Sequence, residues 1–190
     1  VGASSRIADF ATYGSNWYMK GHALLASMIA DSPSWTPEAR DRVYRGFVVP
    51  YVTELTKIVG TIGNQQEISN RNLLLFGLAF DDATSVYYGL LKDAGAVSRV
   101  YDIEPDGFSS EGRPLNYHFA AMNEYLPTLA FLANSGLAVQ YPKDRLLAAV
   151  RMPYQRAALN GVVPGCGDSG RGHGMEYYRN NTTADWLTSG

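Results

Sequence analysis

The sequence has little of what would indicate a disulfide-rich, membrane-spanning or nucleic-acid-binding protein. Only one of its 190 residues is a cysteine, Cys166, so no disulfide can form within the chain. No apolar run approaches the roughly 20 residues needed to span a bilayer, and we therefore expect no membrane partner. Sixteen basic and 18 acidic residues leave a formal charge of −2, which gives no whole-chain attraction for nucleic acid. Any acidic ligand would have to be held by local arginine, lysine or histidine side chains.

Histidine is also scarce, and this limits the chemistry that the chain can support. His22, His118 and His173 are the three histidines of the sequence, and their spacing matches neither H-E-x-x-H nor a Cys/His zinc motif. We therefore predict no metal and no other cofactor. The string Gly-Asp-Ser-Gly at 167–170 invites a serine-protease interpretation. Because Arg171 follows where a further glycine is expected, a glycine-rich turn is the better interpretation.

The sequence is rich in helical periodicity. Thr36 followed by Pro37 is a favoured helix start, and Pro50 should kink that helix mildly. Apolar residues then recur at every fourth position: Val43, Phe47, Tyr51 and Leu55. Comparable spacings, or clear start and stop signals, predict further helices over 17–30, from 64 onward, and over 83–97, 119–136 and 143–159. We predict a mainly α protein built of helical hairpins around a common axis.

The character of the chain changes near its end. Five glycines lie between positions 162 and 174, and the residues beyond them show no clear periodicity. We therefore place a boundary at 165, with a helical domain over 1–165 and a loop or linker over 166–190. Because the chain begins at Val1 rather than at methionine, we expect it to be processed or to be part of a longer protein.

A polar cluster opens the helix that begins near position 64. Asn64 and Glu67 are three residues apart and share a helix face, while Gln65 and Gln66 lie between them. Asn64 is also a plausible N-cap, which would need no functional explanation. Capping does not account for the other amides of this helix, which must find partners or face a cleft.

A second polar segment, residues 106–118, runs into the apolar helix predicted over 119–136. Tyr117 and His118 stand at its end, and Arg113 lies nearby. A neighbouring cation favours the phenolate form of tyrosine, so Tyr117 is a candidate for proton transfer. The alternatives are that Tyr117 is a core aromatic and that Glu111 and Arg113 form an exposed ion pair of little energetic value.

Together these segments resemble the heparinase II/III-type and alginate-type polysaccharide lyases. The resemblance rests on 63–67 with 72–80, on Asp106-Gly107, Glu111-Gly112 and 117–119, and on the glycine-rich string 164–169. It implies an incomplete (α/α) toroid, followed in the parent protein by a β-sandwich domain that is not part of this chain. It also implies a secreted or periplasmic enzyme that cleaves an acidic polysaccharide at uronic acids by β-elimination.

The resemblance also implies roles for individual residues. Tyr117 would be the general acid, and in a syn elimination also the base, with His118 supporting it. Asn64 would neutralise the substrate carboxylate with help from Glu67. Three further residues are expected to bind substrate: Gln65, Glu111 and Arg113. Gln65 stands where several members of the family have a histidine, so a further base would come from outside this segment.

Two other functions compete with the lyase. A toroid glycoside hydrolase needs two carboxyl groups across the scissile bond, and Glu67 with either Glu111 or Asp106 would supply them. A non-catalytic carbohydrate-binding module would need neither proton transfer nor Tyr117. The discriminating feature is whether Asn64 and Tyr117 face one groove.

Overall fold

A computed structural model of the chain describes residues 19–57, 63–109, 115–156, 162–163 and 173–174. At positions 63, 64, 115, 116 and 156, and in the two short strands, it describes the backbone alone. The elements in chain order are α1 (Met19–Met28), α2 (Pro37–Val43), a π-helical segment (Tyr44–Val48), α3 (Val49–Lys57), α4 (Gly63–Phe80), α5 (Ala83–Leu90), α6 (Ala96–Tyr101), α7 (Leu115–Asn134), α8 (Lys143–Arg156), β1 (Val162–Val163) and β2 (His173–Gly174). The prediction of a mainly α protein is confirmed. Within the described ranges, none of the helices is both long and apolar enough to cross a membrane.

The chain divides into two compact units, Val1–Gly95 and Ala96–Gly190. The first contains α1 to α5, and the second contains α6 to α8 with the antiparallel pair β1–β2, in which Val163 lies opposite His173. The division at position 165 that the composition suggested stays a prediction.

Helix α4 is the centre of the first unit. Its residues Leu73, Leu74 and Phe76 are buried, and α1 and α5 pack against it. Since α4 is flanked by other helices, most of its surface is removed from water, and its polar residues must find partners inside the unit.

Two glycines allow α4 and α5 to approach closely. A Cβ atom at Gly89 of α5 would lie 2.7 Å from the carbonyl oxygen of Asn70, and one at Gly77 of α4 would lie 2.6 Å from Cγ2 of Val86. Both distances are too short for real carbon contacts, so the packing of this helical hairpin depends on the missing side chains.

The helical stretch 37–57 confirms its predicted start but is not uniform. Thr36 accepts a hydrogen bond of 3.2 Å from the amide of Ala39, and Pro37 is the first helical residue. The helix widens into the π segment just before Pro50, where the amide of Val49 donates to the carbonyl of Tyr44. We attribute this widening to the proline ring, which would clash with a carbonyl one α-helical turn earlier.

Two predicted helices differ from the structure in their bounds. The helix predicted over 83–97 is two helices, α5 and α6, separated by a turn in which the amide of Gly95 donates to the carbonyl of Lys92. Helix α7 begins at Leu115, four residues earlier than predicted, so Tyr117 and His118 belong to its first turn. Its predicted stop is confirmed by Gly136, whose φ of +75° is the left-handed conformation of a helix C-terminus.

In the second unit, the loop between α6 and α7 lies against α8. Gly107 has a φ of +92°, and a Cβ atom there would collide with the carbonyl group of Ala148. Arg145 of α8 donates through Nη1 to the carbonyl oxygens of Tyr101 and Ile103, at 2.6 and 2.9 Å. These contacts satisfy carbonyl groups at the end of α6 and hold the loop in place.

Candidate functional site

The predicted site residues fall into two groups, one in each unit. In the first unit, Gln65 is half-buried and Glu67 is buried in α4, while Asn64 has a described helical backbone and a side chain outside the described part. In the second unit, Tyr117 is half-buried and His118 is fully buried. The remaining two predicted residues lie outside the described residues: Glu111 and Arg113.

The amides that follow the polar cluster have structural partners. Gln66 donates through Nε2 to Oδ1 of Asn70 at 2.8 Å, and Asn70 donates through Nδ2 to the carbonyl oxygen of Ala94 at 2.7 Å. Both side chains are buried. Their hydrogen bonds tie α4 to the turn between α5 and α6, so the polar character of these two positions is explained by packing.

A second buried network lies further along α4. Asn72 donates through Nδ2 to the hydroxyl oxygen of Tyr51 at 2.9 Å, and Arg71 lies with Nε and Nη2 at 3.4 Å from Oδ1 of Asn72. Burial raises the pKa of Tyr51, and burial lowers the pKa of Arg71 to about 10. Both shifts follow from the cost of charge in a poorly solvated place.

Two basic side chains of the first unit lie near one another. Burial lowers the pKa of Lys20, and the positive charge of Arg71 lowers it further. A like charge nearby disfavours the protonated form of a lysine. Helical spacing also places position 71 four residues after Glu67 and seven after Asn64, on one face of α4. The sequence interpretation missed Arg71, although a cation at this spacing from Asn64 could have indicated it.

His118 anchors the first turn of α7. Its Nε2 lies 2.9 Å from the carbonyl oxygen of Ala149 in α8, and its Nδ1 lies 3.3 Å from Oγ of Ser109. A carbonyl oxygen can only accept, so Nε2 carries the proton and Nδ1 accepts from the serine hydroxyl. Burial lowers the pKa of His118 to about 4, against the opposing effect of the hydrogen bond to Ala149. The ring is therefore neutral near pH 7, with both nitrogens engaged.

This geometry suits His118 for positioning Tyr117 rather than for contacting substrate. The imidazole of His118 is bound by Ser109 of the loop before α7 and by Ala149 of α8. The first turn of α7 is therefore held from two sides. A proton could enter the ring only at a cost in stability, because the site is buried. The role of Tyr117 itself, half-buried at the same turn, stays a prediction.

One buried carboxyl group of α7 was missed by the sequence interpretation. Glu124 is buried, and its carbonyl oxygen accepts a hydrogen bond of 2.6 Å from the hydroxyl of Thr128. Helical spacing places Glu124 two turns after Tyr117, on the same side of α7. A single acidic residue within an otherwise apolar helix was the signal that could have indicated it.

Asn64 and its neighbours Gln65 and Glu67 belong to the first unit, whereas Tyr117 belongs to the second. Their convergence on one substrate therefore stays a prediction. Among the described residues there is no group of three or more histidine, cysteine, aspartate or glutamate side chains that could hold a metal. Comparison of the chain with protein-family models, curated proteins and solved structures gives no significant match.

Proposed function

We propose that this chain is the helical part of a secreted or periplasmic polysaccharide lyase, which cleaves a uronic-acid-containing glycan by β-elimination. Residues 1–165 would form the incomplete (α/α) toroid, and 166–190 would lead to a β-sandwich domain of the parent protein. The observation that carries the proposal is the first turn of α7, where Tyr117 is half-buried beside a neutral His118 that is held by Ser109 and Ala149.

The chemistry assigns a distinct task to each group. The amide of Asn64 donates to the carboxylate of the uronate and so makes the proton on the adjacent carbon more acidic. The phenolate of Tyr117 takes that proton while a double bond forms and the glycosidic C–O bond breaks. The resulting phenol returns its proton to the leaving oxygen, so one side chain serves as base and then as acid.

His118 supports this assignment through its protonation state. A neutral imidazole with both nitrogens engaged does not compete with Tyr117 for the substrate proton. It also fixes the helical turn that carries the phenol, and such positioning is a large part of catalysis. A histidine that exchanged protons with substrate would instead need a ring nitrogen in the cleft.

The first unit supplies features that suit an acidic substrate. Arg71 lies close enough to Lys20 for its positive charge to lower the pKa of Lys20, and an anionic group bound beside Lys20 would offset that effect. Glu67 is buried on the α4 face that carries Asn64, and in this proposal it assists Asn64.

The direct test is incubation with alginate, heparan, chondroitin, hyaluronan and ulvan, followed by the ultraviolet absorbance of unsaturated uronates. The parent protein should be used beside this chain, since the parent would supply the remaining catalytic groups. New reducing ends without that absorbance would indicate hydrolysis and the rival glycoside hydrolase. Absence of unsaturated products from every uronate polymer would overturn the lyase assignment.

Tyr117→Phe tests the role of the phenol. We expect turnover to fall by about 100-fold or more, because the substitution removes the oxygen that accepts the substrate proton and returns it to the leaving group. Tyr154→Phe is the matched control, since Tyr154 is exposed on α8 of the same unit and should leave turnover unchanged. Wild-type turnover in Tyr117→Phe would exclude an acid or base function for this residue.

A further inference from the structure

A cleft in the first unit is lined by residues that the proposed lyase does not use. It lies between the C-terminal end of α4 and the segment that contains α2, and its volume is about 570 Å³. This volume is within the range of roughly 300 to 1,000 Å³ that is typical of small-molecule sites. The lining includes Trp35, Arg40, Tyr44, Phe80 and Asp81.

The cleft is remote from the proposed catalytic end of the same helix. Helix α4 runs from Gly63 to Phe80, so a rise of about 1.5 Å per residue places its two ends roughly 25 Å apart. Asn64 stands at the first turn, whereas the cleft is formed by the last residues. One substrate ring cannot occupy both places.

Three aromatic rings form the apolar wall of the cleft. Phe80 is buried beneath it, Tyr44 stacks on Phe80 at 5.7 Å with an interplanar angle of 22°, and Trp35 meets Phe80 edge-on at 6.2 Å. Trp35 and Tyr44 are each half-exposed. Because the rings already support one another, their open faces are available to a ligand with little reorganisation.

The polar rim of the cleft consists of charges that are already neutralised by their neighbours. Arg40 donates through Nη2 to Oδ2 of Asp81 at 2.7 Å, and its guanidinium lies 5.6 Å from the centre of the Phe80 ring. Asp41 accepts from Nε of Arg45 at 2.7 Å. A cationic ligand would have to displace Arg40 from the aromatic face, and an anionic ligand would meet two carboxylates.

We infer that this cleft binds a neutral pyranose unit of a glycan. The apolar face of such a ring would lie on Trp35 and Tyr44. Its vicinal hydroxyl groups would donate to the carboxylates of Asp41 and Asp81 and accept from Arg40, which a ligand with only one kind of hydrogen-bonding group cannot do. The inference does not rest on the proposed lyase, because the cleft and its residues are separate from the predicted catalytic groups.

Isothermal titration calorimetry on the full chain tests the inference. The neutral probes are cellohexaose, mannohexaose, xylohexaose and galactohexaose, with oligogalacturonate as the acidic probe and choline as the cationic one. We expect at least one neutral probe to bind, and Trp35→Ala to weaken that binding about tenfold or more. Tyr87→Ala is the matched control, since Tyr87 is an exposed aromatic of the same unit and should bind like the wild type.

A second variant protects the test against misfolding. Asp81 is 85% exposed and has a φ of +57°, a conformation that asparagine tolerates well. Asp81→Asn should therefore fold like the wild type while weakening neutral-glycan binding at least threefold. The inference is overturned if no neutral probe binds, or if the Trp35 dependence is seen for oligogalacturonate or choline alone. Unchanged binding in Asp81→Asn and Trp35→Ala, or equal loss in Tyr87→Ala, would overturn it as well.

Discussion

Replacing His118 by glutamine separates the hydrogen bonding of this residue from its titration. The amide nitrogen of glutamine can occupy the place of Nε2 and keep the 2.9 Å bond to the carbonyl oxygen of Ala149. The bond from Ser109 is lost, and the buried ring is replaced by a smaller, more flexible side chain. We expect the free energy of unfolding near pH 7 to fall by about 1 to 2 kcal/mol.

The sign of the effect should reverse in acid. Burial lowers the pKa of His118 from 6.5 to about 4, so the folded state resists protonation that the unfolded chain accepts. The corresponding stability is fully present above pH 6.5 and is lost as the pH falls toward 4. The shift corresponds to about 3 kcal/mol. Glutamine does not titrate in this range. Between pH 6.5 and pH 4 the His118→Gln variant should therefore lose about 3 kcal/mol less unfolding free energy than the wild type.

Urea denaturation followed by circular dichroism at about pH 7, 5.5 and 4 measures these quantities. The variant should be less stable than the wild type near pH 7 and more stable near pH 4. His22→Gln is the matched control, because His22 is exposed on α1 and its replacement should keep the wild-type profile. If His118→Gln loses as much stability in acid as the wild type, the imidazole is not buried in the neutral form and its assignment as a positioning residue fails.

Two further substitutions test the packing of the first unit. Gly89→Ala should cost about 1 to 3 kcal/mol of unfolding free energy, because the new Cβ would lie 2.7 Å from the carbonyl oxygen of Asn70. A Cβ atom added at Gly21 of α1 would meet no neighbouring atom within 4 Å, so Gly21→Ala should instead raise the free energy of unfolding by up to about 1 kcal/mol. Equal effects of the two substitutions in urea denaturation would contradict the close packing of α4 and α5. Asn70→Ala should lower the free energy of unfolding by about 2 to 4 kcal/mol, because it leaves the buried carbonyl of Ala94 without its donor. An unchanged denaturation midpoint would show that water reaches this hydrogen-bond network.

Local signals in the sequence predicted the helix ends that local chemistry controls. Thr36 and Pro37 begin α2 as expected, because a capping hydroxyl and a preset φ act within a few residues. Gly136 ends α7 for a similar reason, since glycine adopts a positive φ at little cost. Mainly helical structure could therefore be predicted with no knowledge of tertiary contacts.

The break between α5 and α6 could not be predicted in this way. Apolar residues continue in helical spacing through positions 83–97, although Tyr87 and Leu91 of this pattern are exposed in the structure. The chain turns there because Gly95 packs against the backbone of Leu90, and because Ala94 presents its carbonyl oxygen to Asn70 of α4. The first contact is local, whereas the second joins residues 24 positions apart in the sequence and is tertiary.

For the site, residue types could be predicted but protonation and burial could not. His118 is a candidate from its place beside Tyr117, yet its neutral state follows from burial, and its partner Ala149 lies 31 residues further along the chain. The proximity of Arg71 to Lys20 could not be predicted, because it arises from the packing of α1 on α4. Electrostatic properties of this kind follow from tertiary contacts that no local pattern contains.

The partners of the α4 amides change how mutations in that helix should be interpreted. Gln66 and Asn70 are both engaged within the first unit, so a loss of activity after replacing either one would report a loss of structure. Tests of function in α4 therefore fall on the residues predicted to act on substrate, Asn64, Gln65 and Glu67. Tyr117 differs, because removing its hydroxyl group leaves the ring to pack while the anchor at His118 is untouched. A variant that folds normally and fails to cleave is thus informative at Tyr117, and the same outcome at Asn70 would contradict the structural role given to that amide.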